Sequence, residues 1–160
     1  MKATEQIIST LVSEFQKINN SHRYINRGGC GIFAEFAYRS LVKIGLKPKL
    51  AVITRQGMSK TEVKMNLRNN SGAYEIPFSH IVLVLDKKYI DSTGAYDDYK
   101  SITRLYEDHL CVVGMDIDHL SDWNADPYNW NNMFDRKQIP SIKKKIKEVE
   151  KILFISKTNL

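Results

Sequence analysis

Three residue types that can carry covalent chemistry occur in a suggestive order in this chain, beginning with a cysteine among glycines. Cys30 follows Gly28 and Gly29, precedes Gly31, and opens an apolar run that extends to Leu41. A thiolate is a strong nucleophile, and it forms more readily where the unpaired N–H groups and dipole of a helix N-terminus favour negative charge. The spacing predicts a helix that begins at about Cys30 and lowers the pKa of its thiol.

A histidine and an aspartate lie on the two strands of a predicted β-hairpin. His80 opens the apolar strand His80–Leu85, and Asp91 ends the strand that follows. With Asp86–Lys87 as a two-residue turn, residues whose numbers add to an odd value share a face of the hairpin, as these two do. Diagonal neighbours of this kind are about 7 Å apart at the backbone, within side-chain reach. We expect Asp91 to orient His80, and His80 to act as the base for Cys30.

Each of these residues also has an ordinary structural interpretation. A cysteine that opens a core helix is often a small buried hydrophobe, and a histidine at a strand start is often a satisfied core or surface residue. Asp91, followed by Ser92, Thr93 and Gly94, could form a turn. The functional hypothesis depends on the three residues occurring together, in this order, on elements that fit.

The rest of the chain predicts an α+β fold in which helices pack on an antiparallel sheet, within one domain over residues 1–160. Gly45 is placed to end the helix that Cys30 begins. The other segments are a helix over Thr4–Ile18, a strand over Lys49–Thr54, a polar loop or hairpin over Arg55–Pro77, a helix over Tyr99–Leu110, an irregular aromatic tract over Gly114–Gln138, and a last helix over Ser141–Phe154 introduced by Pro140.

Composition excludes several classes of protein. The 160 residues are 42% apolar and 26% charged, and they contain no run of about 20 apolar residues that could span a membrane. The start, MKATEQIIST, does not resemble a signal peptide, so we expect Cys30 and Cys111 to be reduced thiols in a cytoplasmic protein. The net charge of +6 permits a nucleic-acid partner, but the segment IKKKIKEVEK fits better as the solvated face of a helix.

The stretches GGCGIFAEFAYRSLVKIGLKPKLAVI and HIVLVLDKKYIDSTG resemble the core of transglutaminase-like members of the papain-like cysteine enzyme superfamily. The resemblance implies a papain-like fold and a catalytic triad of Cys30 as nucleophile, His80 as base and Asp91 as orienting carboxylate. It also implies a protein or peptide substrate and no cofactor or metal. The reaction would be peptide or isopeptide hydrolysis, glutamine-directed deamidation or cross-linking. This chain departs from the family in having Gly31 where an aromatic residue is common.

An oxyanion-stabilising group is a further requirement of acyl chemistry. The N–H of Cys30 would serve as one donor, and Gly29 and Gly31 would leave room for the substrate. Papain-like proteases place a glutamine six residues before the cysteine, where Tyr24 stands here. The hydroxyl of Tyr24 or the amide of Asn26 could donate instead, or both could be ordinary loop residues.

Other interpretations remain open. Residues 29–34 fit the loose dinucleotide pattern G-x-G-x-x-A, which requires a preceding strand. Asp116, Asp118 and His119, with His109 and Cys111 nearby, could suggest a metal, but an acidic solvated loop explains them better. The aromatic tract from Trp123 to Phe134 could line a substrate groove or wedge a loop onto the domain. Finally, the whole chain could be a catalytically silent papain-like fold that serves as a binding or inhibitor module of microbial or viral origin.

Overall fold

The computed structural model describes residues 2–26, 28–55, 59–68, 78–102, 110–125 and 134–158. The described elements, in chain order, are α1 (Lys2–Ser21), α2 (Cys30–Lys43), β1 (Lys49–Arg55), α3 (Lys60–Arg68), β2 (Phe78–Leu85), β3 (Lys88–Ile90), β4 (Ala95–Tyr96), α4 (Tyr99–Ile102), β5 (Leu110–Met115), α5 (Ile117–Ala125), a 3-10 turn (Arg136–Gln138) and α6 (Ile139–Thr158).

The strands form one sheet in the order β4-β3-β2-β1-β5, and each neighbouring pair is antiparallel. The predicted α+β class with an antiparallel sheet is therefore confirmed. None of the helices that the structure describes has the length and apolar character needed to cross a bilayer.

The β2–β3 hairpin has the predicted two-residue turn. Asp86 and Lys87 have φ angles of 47° and 64°, and Leu85 pairs with Lys88 across them. Positive φ at both central residues defines a type I′ turn, whose twist matches that of the strands it joins. The turn forms without glycine because the pairing of β2 with β3 stabilises positive φ at Asp86 and Lys87 by more than this conformation costs the two residues.

The two faces of the sheet bury different residues. Leu50, Val52, Ile81 and Leu83 pack into the larger core with the apolar faces of α1, α2 and α6. In that core the rings of Phe15 and Phe33 meet edge to face, with centroids 4.7 Å apart. The opposite face of the sheet carries a smaller cluster of buried and partly buried side chains: Ala51, Ile53, Val82, Val84, Tyr89, Tyr99, Ile102 and Val112.

Helix α3 corrects the prediction that Arg55–Pro77 is a loop or hairpin. Ser59 and Glu62 form a reciprocal N-terminal cap: the Ser59 N–H donates to Glu62 Oε2 at 2.6 Å, and the Glu62 N–H donates to Ser59 Oγ at 3.2 Å. The spacing Ser-x-x-Glu is a known helix-start signal. The low apolar content of the helix concealed it, because Val63 is its one fully buried described side chain.

Two further segments differ from prediction. The helix predicted over Tyr99–Leu110 extends only to Ile102 among the described residues, and Leu110 begins β5. The tract predicted to be irregular contains the end of β5 and the helix α5. Strand β5 pairs with β1, and this long-range pairing is absent from local residue preferences.

The ends of two helices agree better with the sequence. Gly45 follows α2 with φ +82°, and its N–H bonds to the Val42 carbonyl at 2.9 Å, as expected of a helix-ending glycine. The last helix, α6, is longer than predicted at both ends.

Candidate active site

Cys30 occupies the first turn of α2. The helix starts at this residue, Gly29 is its N-cap, and the Phe33 N–H makes the first helical hydrogen bond to the Gly29 carbonyl at 3.0 Å. Cys30 is a free thiol and is only partly buried. The sulfur therefore lies where helix N–H groups favour negative charge.

The backbone before Cys30 passes directly under an aromatic ring. A Cβ atom at Gly29 would lie 2.6 Å from two ring carbons of Phe134 and 3.1 Å from the Cα of Ile25. Real Cβ atoms do not approach that closely, so only glycine allows this packing. Phe134, which is buried, thus fixes the chain that delivers Cys30 to the site.

A bulge in β2 precedes the histidine. Ile53 of β1 pairs with His80, whereas Thr54 pairs with Phe78, so Ser79 is an extra residue in β2. Bulges bend a strand and redirect the side chains beside them. This one lies immediately before His80, at the strand end nearest to Cys30.

His80 and Asp91 form a buried ion pair. The His80 Nε2 and Asp91 Oδ2 are 2.8 Å apart, and the side chains are only 7% and 3% exposed. The register of the hairpin, with Leu83 opposite Ile90, gives the diagonal placement expected from the sequence. With Nε2 on the carboxylate, the other ring nitrogen, Nδ1, is left for the thiol.

The second oxygen of Asp91 is held by the turn that follows. Oδ1 accepts hydrogen bonds from the Thr93 N–H at 2.7 Å, the Thr93 hydroxyl at 2.6 Å and the Gly94 N–H at 3.1 Å. Both oxygens of the buried carboxylate therefore accept hydrogen bonds, and these bonds offset the free-energy cost of burying its charge. Asp91 therefore forms a turn, as its ordinary structural interpretation expects, and contacts His80, as the functional hypothesis expects.

The thiol meets His80 where β3 stops. Strand β3 ends at Ile90, which pairs with Leu83 of β2. The backbone groups of Ile81, two residues before Leu83, point to the same side of β2 but lie beyond the end of β3. The Ile81 N–H donates to the Cys30 sulfur at this open edge, and the His80 side chain hydrogen-bonds to the same sulfur. The helix tip and the sheet are joined through the thiol.

The electrostatics of the three groups support one another. Burial by itself raises the pKa of the Cys30 thiol, but the hydrogen bond and charge of His80, with the N–H groups of Ile81 and Gly31, bring that pKa below its ordinary value. Burial likewise lowers the pKa of His80, yet the hydrogen bonds and negative charges of Asp91 and Cys30 raise it to about 10.

Asp91 completes the same pattern. Burial raises the pKa of its carboxyl, but the hydrogen bond and charge of His80 and the hydrogen bonds from Thr93 hold that pKa below the usual range. All three directions favour a thiolate beside an imidazolium, with an ionised carboxylate behind the ring.

The predicted oxyanion and substrate-binding residues differ in their position relative to the Cys30 thiol. Gly29 and Gly31 flank the thiol, and both are buried. The Asn26 Oδ1 accepts a hydrogen bond from the Ser92 hydroxyl at 3.1 Å, which links the loop before Cys30 to the turn after Asp91. Tyr24 is 44% exposed with φ 62°. Neither side chain shows a contact with the thiol.

Two residues at the site were not predicted. Asn124 of α5 donates from Nδ2 to the Gly31 carbonyl at 3.1 Å and to Glu35 Oε2 at 2.6 Å, which ties α5 to the first turns of α2. Thr93 holds Asp91. A signal for Thr93 was present in the Asp-x-Thr spacing, which is typical of an Asx turn, whereas only the tertiary fold brings Asn124 to α2.

The other sequence hypotheses fare differently. Helix α1, not a strand, precedes the glycine loop, so the dinucleotide motif lacks its required context.

Asp116, Asp118 and His119 line a cavity of about 790 Å³ that touches none of the three candidate catalytic residues. Two of them belong to the helix α5, which corrects the prediction of a loop. Across the part of the chain that the structure describes, no group of three or more His, Cys, Asp or Glu side chains has an arrangement that could hold a metal ion.

The aromatic tract is described only in part. Trp123 and Phe134 are both buried, and Phe134 packs on Gly29 as a wedge would. Tyr128 and Trp130 lie outside the described residues, as does His109, and the side chain of Cys111 does too.

Comparison with known proteins gave no match to this chain, whether against models of protein families, curated proteins or solved structures.

Proposed function

We propose that this protein is a cysteine-dependent amide or acyl-transfer enzyme with a papain-like fold of the transglutaminase-like type. The observation that carries the proposal is the continuous contact from a helix-tip thiol through His80 to Asp91, with the His80 Nε2 to Asp91 Oδ2 distance at 2.8 Å. A structural cysteine needs neither a charged histidine nor a carboxylate behind it.

The reaction follows from these contacts. The Cys30 thiolate attacks the carbonyl carbon of an amide, and the N–H of Cys30 at the helix N-terminus faces the oxyanion that forms. His80, protonated at Nδ1, transfers that proton to the leaving nitrogen as its bond to carbon breaks. The product is an amine and a thioester on Cys30. Neutral His80 then takes a proton from water or an amine, which attacks the thioester and regenerates the thiolate.

Peptide or isopeptide hydrolysis is the leading reaction, followed by glutamine-directed deamidation or cross-linking, with a protein or peptide as substrate. These reactions share the thioester and differ in the group that resolves it. We propose a cytoplasmic location, because a reducing compartment keeps a thiol nucleophile in its free form.

The decisive test is the pH dependence of Cys30 alkylation by iodoacetamide. In a Cys111→Ser background, we expect the rate to stay nearly constant from pH 8 to pH 6, because the thiolate persists below the ordinary thiol pKa. His80→Ala should reduce the rate at pH 6 about 100-fold, the change expected when the thiol returns to an ordinary pKa. His119→Ala, in the separate cavity, should have no effect.

If the alkylation rate of the parent protein has the pH dependence of an ordinary thiol and does not change in His80→Ala, the enzyme hypothesis is contradicted and the silent binding module is favoured. A second measurement addresses turnover. With p-nitrophenyl acetate, Cys30 should form an acetyl thioester and release one equivalent of p-nitrophenolate in a burst. Release of acetate in water identifies a hydrolase, whereas faster resolution by a primary amine, with amide formed, identifies a transferase.

A further inference from the structure

The turn after β3 carries hydrogen bonds beyond those that a simple chain reversal needs. Thr93 Oγ1 lies 2.6 Å from Asp91 Oδ1 and 2.9 Å from the hydroxyl of Tyr96. A threonine hydroxyl has one proton, and a carboxylate oxygen can only accept. The Thr93 proton is therefore directed to Asp91, and the Tyr96 hydroxyl must donate to Thr93.

This order of donors defines one chain of hydrogen bonds from Tyr96 through Thr93, Asp91 and His80 to Cys30. Each donor in it points toward the negative charge on Asp91 or Cys30, and the donors of Thr93 and His80 converge on the two oxygens of the Asp91 carboxylate. Both Thr93 and Tyr96 are half-buried, so the outer end of the chain is partly shielded from water.

The packing around the chain leaves little freedom for the carboxylate to rotate. A Cβ atom at Gly94 would lie 3.2 Å from the Tyr96 hydroxyl and 3.3 Å from Cζ, so the absence of a side chain at Gly94 lets the tyrosine ring settle on the turn. On the other side, the Gln16 side chain of α1 donates to the Thr93 carbonyl at 2.8 Å. The turn is fixed from two directions.

We propose that Thr93 and Tyr96 are positioning residues for the site, acting together to hold Asp91 Oδ1 so that Oδ2 faces His80. This inference rests on the proposed function of the Cys30 site. Neither residue touches the thiol, and their effect reaches it only through Asp91 and His80. Loss of the Thr93 hydroxyl leaves the Asp91 carboxylate freer to rotate and less favourable as an ionised partner of the imidazolium.

The test compares variants of nearly identical shape in the iodoacetamide assay, again in the Cys111→Ser background. Thr93→Val keeps the branched side chain and the backbone N–H but removes the hydroxyl, and it should slow alkylation at pH 6 by about threefold to tenfold while approaching the parent rate at pH 9. Thr93→Ser restores the hydroxyl and should return the rate at pH 6 to within about twofold of the parent.

Tyr96→Phe removes only the outer donor, and it should produce a smaller slowing in the same direction, about twofold to threefold at pH 6. Tyr89 is its matched control, because it pairs with Tyr96 across the β3–β4 ladder and its hydroxyl is not part of the chain. Tyr89→Phe should leave the profile unchanged. If Thr93→Val does not fold, as judged by circular dichroism, Tyr96→Phe against Tyr89→Phe decides the question.

The outcomes separate this inference from the proposed function. A parent profile that depends on His80 but is unaltered by Thr93→Val and Tyr96→Phe overturns the positioning role alone. An equal loss of rate at all pH values in Thr93→Val, without recovery in Thr93→Ser, indicates general disruption and also overturns it. If the alkylation rate of the parent protein is the same in His80→Ala, the proposed function itself is contradicted.

Discussion

Two buried histidines occupy very different surroundings in this molecule. His22 lies between α1 and α6, with Nδ1 2.9 Å from the Ile18 carbonyl and Nε2 2.9 Å from the Ser141 hydroxyl. His80 lies at the sheet edge with a carboxylate on one nitrogen and a thiol at the ring. Both residues are less than a tenth exposed.

Burial is therefore not what distinguishes a candidate base from a structural histidine. The hydrogen-bond partners of His22 are the Ile18 carbonyl and the hydroxyls of Ser21 and Ser141, none of which carries a charge. At His80 the partners are acids, and their charges favour the imidazolium against the effect of burial. The type of partner, and not the depth of the ring, separates the two regions.

The largest expected contrast comes from changing one partner of each histidine. Asp91→Asn keeps the shape at His80 but removes the negative charge, so the Cys30 thiolate loses its stabilised imidazolium. We expect alkylation at pH 6 to slow by at least about tenfold. Ser141→Ala at His22 should leave the rate unchanged. The comparison breaks if both substitutions slow alkylation equally, since the site would then respond to general loosening.

The pH dependence of stability provides a second contrast, best measured in Cys30→Ala so that the opposing shift of the thiol is absent. Against the effect of burial, the hydrogen bonds and charges of Asp91 and Cys30 together raise the pKa of His80 from 6.5 to about 10, and in Cys30→Ala the contribution of Asp91 remains. A raised pKa contributes stability that is fully present below 6.5 and is lost as the pH rises through the folded value.

Urea unfolding of Cys30→Ala at pH 6, 7, 8 and 9 should therefore show a free energy of unfolding that falls with pH, by at most about 1.4 kcal/mol per unit for one proton. The double variant with Asp91→Asn is the reference, and its curve should be flatter. Parallel curves for the two proteins would show that Asp91 does not hold the proton on His80.

The smallest expected effect is on the structural histidine. His22→Ala removes the hydrogen bond to Ser141 of α6 and the one to the Ile18 carbonyl of α1, and it should lower the free energy of unfolding by about 1–3 kcal/mol. The pH profile of Cys30 alkylation should not move, because no charge near the thiol has changed. A shifted profile would mean that the α1–α6 junction is coupled to the site, and the contrast between the two histidines would need revision.

Local rules explain which parts of this fold could be predicted. The parity of the β2–β3 hairpin follows from strand geometry once a two-residue turn is assumed, and so does the diagonal placement of His80 and Asp91. The start of α2 at Cys30 and its end before Gly45 follow from residue spacing and from the conformational freedom of glycine.

Predictions failed where a segment is defined by distant partners. Leu110 belongs to a strand because β5 completes the sheet beside β1, although its neighbours in sequence suggested a helix. For α3 the signal was present in the cap of Ser59 and Glu62, but the polar composition of the helix hid it.

The amino-acid sequence alone determined the order of Cys30, His80 and Asp91, the elements that carry them and the face of the hairpin that His80 and Asp91 share. These depend on spacing within one helix or one hairpin, where covalent geometry sets the distances. Only the tertiary structure decided that the tip of α2 meets β2 where β3 stops, that a bulge precedes His80, and that Phe134 requires a glycine at position 29. Those contacts join residues far apart in the chain, so the packing of whole elements around a common core determines them.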